Sequence, residues 1–517
     1  MNFGRSLFTV SGLTVVSRIG GFVRDSLTAI FLGAGPVADA FFVALRLPNL
    51  FRSLFAEGAF AAAFVPLYTT EQERNGAEAA QQFAGQALVL LLSILIPFSA
   101  LVMMLMPHVI LVLAPGFAHD PERYRLAVQF STITFPYLAL ISVTALQTGV
   151  LNARGIFAPG AAAPIAFNLT LIAGLLGAHF FHWHVGYTLA WAVAVSGVVQ
   201  CGWLAVSCWR ARAVIPLLRP RLTESSRLLF RRILPGAVGS GATQINLLVS
   251  TILASLLPTG AVSHLFYADR LNQLPLGVVG IAVATTLLPV LSRHIGAGDE
   301  AKARHYTSRG IEFCLLLGLP AMIGLMVVAQ PIIETLFEHG KFTHADTIAT
   351  AAALRAYTLG VPGFLLVKVF ASGFFARHDT KTPVKIGIIA MVTNVLCAVA
   401  LLGPLQQVGI ALANSIAVSV NAALLYRRLR QRTGKVGDEK LPRRLWKILL
   451  CAAIMAAMTV FLTHAIWGHE PAGIARRARD LFGLIVLSGL SYLAALHFTG
   501  AWRWRDTLAA ARGHTPE

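Results

Sequence analysis

Residues 7–31 read LFTVSGLTVVSRIGGFVRDSLTAIF, an apolar stretch long enough to cross a bilayer that nevertheless contains Arg18, Arg24 and Asp25. A second apolar stretch, residues 36–68, carries four more charged side chains: Asp39, Arg46, Arg52 and Glu57. An ionisable group at mid-bilayer costs roughly 3 kcal/mol or more, so such residues usually line a wet cavity on a substrate path. Because most of these residues are basic, the two stretches predict a membrane-embedded protein with a cationic interior and an anionic substrate.

The composition of the whole chain is that of a helical membrane protein. Of its 517 residues, 56% are hydrophobic and only 13% are charged, and the mean hydropathy is +0.69. A soluble protein would carry about 25% charged residues. Apolar stretches of about 18 residues or more recur along the chain, each long enough to cross the hydrocarbon layer as a helix. We therefore expect an all-α polytopic membrane protein.

The apolar pattern predicts fourteen transmembrane helices. Their expected spans are 7–31, 36–68, 84–113, 126–151, 158–180, 185–209, 228–256, 261–291, 309–330, 349–376, 383–402, 406–429, 444–466 and 480–499. Basic residues cluster after helices six, eight, ten and twelve, on the same side as both termini, so the positive-inside rule predicts cytoplasmic termini. Arg476, Arg477 and Arg479 depart from this rule, because they precede helix fourteen on the outer side.

An internal repeat relates the two halves of the chain. The segment GYTLAWAVAVS at 186–196 matches GIALANSIAVS at 409–419, an offset of 223 residues. Six helices per repeat return the chain to the same side, and such parallel repeats place the substrate site between them. The predicted domains are 1–215, a six-helix lobe; 216–435, a second six-helix lobe; and 436–517, two added helices and a cytoplasmic tail.

Helix geometry predicts the depth of the charges. At 1.5 Å per residue, Arg18 lies roughly 16 Å and Arg24 roughly 25 Å from the inner face, while Arg52 and Arg270 lie roughly 24 and 14 Å from the outer face. Asp39 lies near the outer mouth. The planar guanidinium binds phosphate oxygens through two parallel hydrogen bonds, which suits a pyrophosphate. Further charged or polar residues are expected to support the substrate-binding arginines and Asp39: Asp25, Arg46, Asn49, Glu57, Asp269 and Lys368.

Structural interpretations of the same residues remain open. Each arginine can pair with Asp25, Asp39, Glu57 or Asp269, or extend its charge to the interface. Lys368 is compatible both with a functional role and with extension of its charge to the membrane interface. No metal site or cofactor is predicted, because His179, His182 and His184 fit a solvated loop better than a metal cluster. The five cysteines lie in apolar segments and behave as small hydrophobic residues. No phosphate loop or hydrolase motif occurs, so we expect a non-enzyme.

These residues also carry a resemblance to a known family. The segments concerned are VVSRIGGFVRD at 15–25, ADAFFVA at 38–44, LPNLFR at 47–52, FAEGAF at 55–60, APGF at 114–117, YADRL at 267–271 and KTPVK at 381–385. They resemble the signature of the MurJ (MviN) family, which belongs to the multidrug/oligosaccharidyl-lipid/polysaccharide exporter superfamily. Its members are the proposed flippases for lipid II, the undecaprenyl-pyrophosphate-linked disaccharide-pentapeptide precursor of peptidoglycan, in the bacterial inner membrane.

The resemblance implies a two-lobed fold in which helices thirteen and fourteen form a groove for the lipid tail. It also implies that the essential cavity charges correspond to Arg18, Arg24, Asp39, Arg52 and Arg270. The expected function is lipid II flipping by alternating access during cell-wall synthesis. One departure is visible, because position 273 carries glutamine where similar sequences can have glutamate.

Four other functions are alternatives to lipid II transport. A drug or cation antiporter of the same superfamily would favour an acidic cavity, and an enzyme of polyprenyl-phosphate metabolism would need paired acids. A flippase for another polyprenyl-linked glycan, or a non-transporting scaffold for cell-wall synthesis, remain alternatives. The expected partners are lipid II, membrane lipids and the cell-wall synthesis machinery. The net charge of +19 does not indicate nucleic acid, because it is placed in the connections between helices.

Overall fold

The computed structural model describes residues 3–51, 59–467 and 473–500. Throughout these ranges the backbone forms helices joined by short connections, with no β-strand. Ten of the described helical segments are long and apolar enough to cross a membrane. The all-α membrane fold is therefore confirmed, whereas the count of fourteen helices stays a prediction. Arg52 and Glu57 lie outside the described residues.

The chain divides into two compact units. The first comprises the residues up to Ser263 together with His339–Thr343, and the second comprises His264–Glu338 and the residues from His344 onward. The predicted repeat limits at residues 215 and 435 stay predictions.

The first unit is built from nine helices of the described chain and one short 3-10 helix, Pro115–His119. The α-helices are α1 (Phe3–Leu32), α2 (Pro36–Phe51), α3 (Ala59–Met104), α4 (Met106–Leu113), α5 (Pro121–Thr134), α6 (Tyr137–Ala153), α7 (Ala158–Phe180), α8 (Val185–Arg210) and α9 (Glu224–Ser255). Helix α1 packs on α7, α2 on α5, and α3 on both α6 and α9.

Aromatic side chains fill one core of the first unit. Phe64 stacks on Phe60 and on Phe83, with ring centroids 5.3 and 5.6 Å apart, and all three are buried. Val150 of α6 and Leu229 of α9 complete this core. Such aromatic pairs add about 0.5–1.5 kcal/mol each beyond the burial of apolar area, and because all three rings belong to α3, the Phe64–Phe83 pair joins the two parts of this helix on either side of Gly76.

The loop 339–343 joins the first unit through backbone contacts. The N–H of Lys341 donates to the carbonyl of Ile30 at 2.9 Å. Gly33 has φ +72°, and a Cβ there would lie 2.7 Å from the Lys341 carbonyl oxygen. Glycine is required at this position because both the left-handed backbone and the close approach exclude a side chain.

The second unit contains the remaining described helices. They are α10 (Ala261–Gly296), whose first residues belong to the first unit, α11 (Glu300–Val327), α12 (Ala329–Leu336), α13 (His344–Thr358), α14 (Val361–Phe375), α15 (Lys381–Thr433), α16 (Leu441–Ile466) and α17 (Ile474–Thr499). One core joins α10, α11, α14 and α15. A second core joins α11 to α16 and α17, where the hydroxyl of buried Tyr492 donates to the Leu316 carbonyl at 2.8 Å.

Two of the predicted spans each correspond to one apolar segment long enough to cross a membrane, Pro121–Ala153 and His344–Phe375, but each segment is divided into two helices. The span 126–151 is two helices, α5 and α6, which meet at Phe135 and Pro136; the span 349–376 divides into α13 and α14 before Pro362. Proline cannot donate the N–H that continues a helix, which is why both breaks occur at this residue.

Two of the long helices each contain a kink between predicted membrane helices. In α3 the kink is at Gly76 (φ 89°, ψ 173°), within residues 69–83, which were expected to be a connection and are helical on both sides of it. In α15 the kink is at Gln406 (φ 48°, ψ −128°), at the predicted boundary between helices eleven (383–402) and twelve (406–429). Residues 69–83 are rich in glutamate, glutamine, alanine and arginine, which favour helix as strongly as apolar residues do. Hydropathy therefore marks the membrane-crossing part of a helix rather than its ends.

The three outer arginines that depart from the charge rule have acidic neighbours. Arg476 and Arg479 lie 3.7 and 3.0 Å from Asp480, and Arg477 lies 3.7 Å from Glu338. Their charges are balanced locally, which explains how basic residues can occur on that side of the predicted topology.

Candidate functional site

Arg18 and Arg24 occupy consecutive turns of α1 in different environments. Arg18 is exposed and makes no hydrogen bond or ion pair in the part of the chain that the structure describes. Arg24 is half-buried, and its side chain is 13% exposed. The two lie six residues apart, about 9 Å along the helix axis. Arg18 therefore offers free donors, whereas three of the five N–H donors of Arg24 are already in use.

Asp25 and Asn168 hold the guanidinium of Arg24. Its Nε and Nη2 donate to Asp25 Oδ1 at 2.9 and 2.6 Å, and its Nη1 donates to Asn168 Oδ1 at 2.9 Å. The Asn168 amide in turn donates to the Ser17 carbonyl at 2.9 Å, and the Phe167 ring lies 5.5 Å from the Arg24 Cζ. Helix α7 thus supplies two of the partners of Arg24. Three of the five N–H donors of Arg24 are therefore in use, and one on Nη1 and one on Nη2 remain for an oxyanion.

Asp39 is fully buried at the beginning of α2, and both of its carboxylate oxygens accept hydrogen bonds. Oδ2 accepts from the N–H of Gly260 at 2.8 Å, and Oδ1 accepts from the N–H and hydroxyl of Ser263 at 2.9 and 2.6 Å. These groups form the start of α10. The first N–H groups of a helix have no partner within the helix and carry a partial positive charge. The carboxylate therefore caps α10 from α2.

Arg123 completes this arrangement, and we call Asp39, Arg123, Gly260 and Ser263 the Asp39 cluster. Arg123 Nη2 lies 3.4 Å from Asp39 Oδ2, and its side chain is 5% exposed. The guanidinium lies 4.1 Å above the ring of Phe117. The negative charge of Asp39 is thus balanced by Arg123, a residue that the sequence analysis had not selected.

The predicted residues of the second unit lie on α10 and α14. Arg270 is half-buried, and its Cζ lies 4.7 Å from the Phe266 ring centroid. Asp269 accepts a short hydrogen bond from the amide of Gln273, one turn further along the helix. Glutamate at this position would have no amide donor and would repel Asp269 when ionised. Lys368 is exposed, with its Nζ 5.2 Å from the ring of Phe364.

Arg46 and Asn49 are half-buried on α2. The roles of the predicted site residues as substrate ligands stay predictions.

Sequence reasoning missed Asn168 and Arg123. Asn168 had a usable signal, since it is an amide within an apolar segment; Arg123 had been assigned to a short outer connection.

Two of the three histidines that the sequence analysis weighed as a metal cluster, His179 and His184, take separate structural positions. The Nδ1 of His184 accepts the N–H of Tyr187 at 3.4 Å and so caps α8, while the ring of His179 packs 5.1 Å from that of Phe31. Among the described residues, the side chains with a spacing suited to a metal ion are instead Glu334, Glu338 and His344.

Comparison with known proteins gives consistent matches over nearly the whole chain. The family model described as "Lipid II flippase MurJ" matches residues 28–470. A "Probable lipid II flippase MurJ" from Rhizobium meliloti (strain 1021) is 42% identical over 506 residues, which cover 96% of this chain and 93% of the relative.

Solved structures agree with this match. A structure titled "Lipid II flippase MurJ, inward closed conformation" has a TM-score of 0.79 at 25% identity and covers 96% of this chain and 99% of that one. An inward-facing multidrug resistance MATE family transporter of the MOP superfamily has a TM-score of 0.71 at 14% identity, covering 83% of this chain and 98% of that one. The second match concerns the fold alone. Both are transporters rather than enzymes.

Proposed function

Because the chain belongs to the MurJ lipid II flippase family, we propose that it moves lipid II from the inner to the outer leaflet of the bacterial inner membrane. The observation that carries this proposal is the 42% identity to a probable lipid II flippase across 96% of the chain. Both termini are placed in the cytoplasm in this proposal, as the loop charges predict.

The pyrophosphate of lipid II would bind to a cationic cavity. Arg18, Arg24 and Arg270 supply the charge, with Arg52 as a further contributor. A guanidinium recognises phosphate oxygens through two parallel N–H donors, and in low dielectric such charge-assisted bonds are about twice as strong as neutral ones. The exposed Arg18 is the first contact, because its donors are free of protein partners.

Arg24 would act as a state-dependent ligand. Three of its five N–H donors are held by Asp25 and Asn168, and in this proposal substrate binding exchanges the Asp25 contact for a phosphate oxygen. Only an interaction that differs between inward and outward states can shift their equilibrium. Exchange of the Asp25 contact supplies such a difference, and the Asp39–Arg123 ion pair supplies a second. Alternating access is supported by the inward closed and inward-facing conformations of the structurally similar transporters.

Depletion of the protein in its host tests this function directly. An external probe that labels or cleaves only outward-facing headgroups should then report loss of outer-face lipid II, with accumulation inside. Wild type should restore the signal, while Arg18→Ala, Arg24→Ala and Arg270→Ala should not, at matched membrane levels.

Arg428→Ala is the matched control, because Arg428 is an exposed arginine at the end of α15 that donates to Gln431. If outer-face lipid II stays normal on depletion in a host with no second flippase, lipid II is the wrong substrate. In that case another polyprenyl-linked glycan or a scaffold role takes its place. If the three arginine variants all transport normally, the cationic cavity is wrong while the substrate stands.

A further inference from the structure

Two carboxylates and an imidazole converge where α12 turns into α13. His344 Nδ1 lies 3.0 Å from Glu338 Oε2 and 4.0 Å from Glu334 Oε1. One ligand atom from each of the three side chains lies within 4.8 Å of the other two. Glu334 is buried at 8% exposure, whereas the His344 side chain is 57% exposed. A buried acid and an accessible imidazole thus face one another across a short loop.

The geometry is close to that of a tetrahedral metal site. Zinc binds nitrogen and oxygen ligands at about 2.0–2.2 Å, which places neighbouring ligand atoms about 3.3 Å apart. The distance from His344 to Glu338 is already near this value. The distance from His344 to Glu334 needs a shift of about 0.7 Å, which a rotation of the exposed imidazole can supply.

Neighbouring groups orient the two carboxylates. The indole N–H of Trp467 donates to Glu334 Oε2 at 2.9 Å, and the Gln330 amide donates to Oε1 at 2.9 Å. Arg477 lies 3.7 Å from Glu338 Oε1, which leaves Oε2 directed at His344. Partners of this kind fix the ligand orientation in metal sites.

The charge of the cluster is incompletely balanced. Within the described residues, the only basic side chain within 4.0 Å of Glu334 is His344, and Arg477 contacts only Glu338. A buried carboxylate is stable when it is paired or coordinates a metal. A divalent cation bound here would neutralise both acids at once.

We propose that Glu334, Glu338 and His344 form a binding site for a divalent transition-metal ion of the Zn²⁺ type, with a fourth position open to water. Imidazole together with carboxylate selects such ions over Mg²⁺ and Ca²⁺, which prefer oxygen ligands alone. In the predicted topology the site lies on the outer side of the membrane and takes its ion from there. Binding would fix the turn between α12 and α13 independently of substrate transport.

The test uses purified full-length protein in detergent, stripped of metal with a chelator and titrated with ZnCl₂ alone. A chromophoric chelator competes for the ion and reports the affinity and stoichiometry, and thermal unfolding is followed in parallel. We expect one Zn²⁺ per chain and a rise in unfolding temperature, with no comparable response to MgCl₂ at the same concentration.

His344→Ala is the main variant, because this exposed side chain can be removed without opening the core. We expect it to weaken zinc binding by at least about tenfold and to abolish the thermal shift. Glu338→Gln should act in the same direction. His464→Ala is the matched control, an exposed histidine in the last turn of α16 that is not part of the cluster.

Equal zinc affinity in wild type and in His344→Ala would overturn the proposal and leave the cluster as an ion-pair group. So would an equal loss in His464→Ala, which would indicate non-specific binding to surface histidines.

Discussion

Replacing Asp39 with alanine should destabilise the protein more than any other single change at the predicted site residues that the structure describes. The carboxylate accepts three hydrogen bonds at 2.6–2.9 Å and pairs with Arg123 at 3.4 Å, with no exposure to solvent. Its removal leaves two N–H groups and a hydroxyl at the start of α10 without this acceptor, and leaves the buried guanidinium of Arg123 with only the more distant Asp120 carboxylate, 3.9 Å from its Nε, as an acidic neighbour among the described residues.

The expected decrease in the free energy of unfolding follows from the ion pair and the hydrogen bonds that are lost. Breaking a buried ion pair by removing one partner costs about 3–5 kcal/mol, because the remaining charge stays desolvated. Each buried donor left unsatisfied costs about 1–3 kcal/mol, although water entering the space left by the side chain recovers part of this. We therefore expect Asp39→Ala to lower the free energy of unfolding by about 3–5 kcal/mol. Asp39→Asn should cost less, because it keeps one acceptor oxygen while losing the charge.

A double-mutant cycle with Arg123→Met isolates the ion pair. Unfolding of the purified protein in mixed micelles would be measured for both single variants and for the double variant. The double variant should lose about 1–3 kcal/mol less free energy of unfolding than the two single losses added together, because the buried guanidinium is removed along with its partner. Additive losses, or an Asp39→Ala variant within about 0.5 kcal/mol of wild type, would refute the capping role of this carboxylate.

Three further changes test other parts of the fold. Gly76→Ala and Gly76→Asn should each destabilise by about 1–3 kcal/mol, because φ 89° with ψ 173° is a backbone conformation open essentially only to glycine; stability equal to wild type in both variants would contradict the backbone argument. Tyr492→Phe removes the hydrogen bond to the Leu316 carbonyl and should cost about 1 kcal/mol in mixed-micelle unfolding, with no loss if that bond is absent. The Thr382 N–H lowers the pKa of Asp379 below 3.8, so this carboxylate stabilises the folded state above that pH and loses its effect as the pH falls through its folded pKa. Asp379→Asn should therefore be less stable than wild type at pH 7 and equal to it in strong acid, whereas a pH-independent difference would exclude the ionised carboxylate as the cause.

The sequence was sufficient to predict elements whose signals are local. The span 158–180 coincides with α7, since an apolar stretch there is bounded by Pro159 at one end and polar residues at the other. The breaks at Pro136 and Pro362 were missed, because prolines such as Pro164 occur inside continuous helices of the same chain. Proline weakens a helix everywhere, but packing against neighbours decides whether the chain actually separates there.

The same distinction between local and distant signals applies to the charged residues. Because a charge within an apolar membrane segment is costly, the sequence was enough to mark Arg24 and Asp39 as residues with a specific role. Their partners were hidden because they lie far away in sequence: Asn168 is 144 residues from Arg24, and Ser263 is 224 residues from Asp39. Of the four acidic residues that the sequence offered as partners, the structure pairs Arg24 with Asp25, the adjacent residue.

The two charge clusters of the first unit impose different requirements on a transporter. The donors of the Asp39 cluster are largely backbone groups at a helix start, so it can be broken only if α10 moves away from α2. The Arg24 cluster is made of side chains, so rotation of one guanidinium is enough to release it. A ligand that competes for Arg24 therefore acts on side chains alone, whereas a conformational change that separates α10 from α2 must compensate for the hydrogen bonds from Gly260 and Ser263 to a buried carboxylate, each of about 1.5–3 kcal/mol. In the proposed transport cycle, substrate binding at Arg24 and helix separation at Asp39 are thus distinct steps, and variants of the two residues should affect different steps.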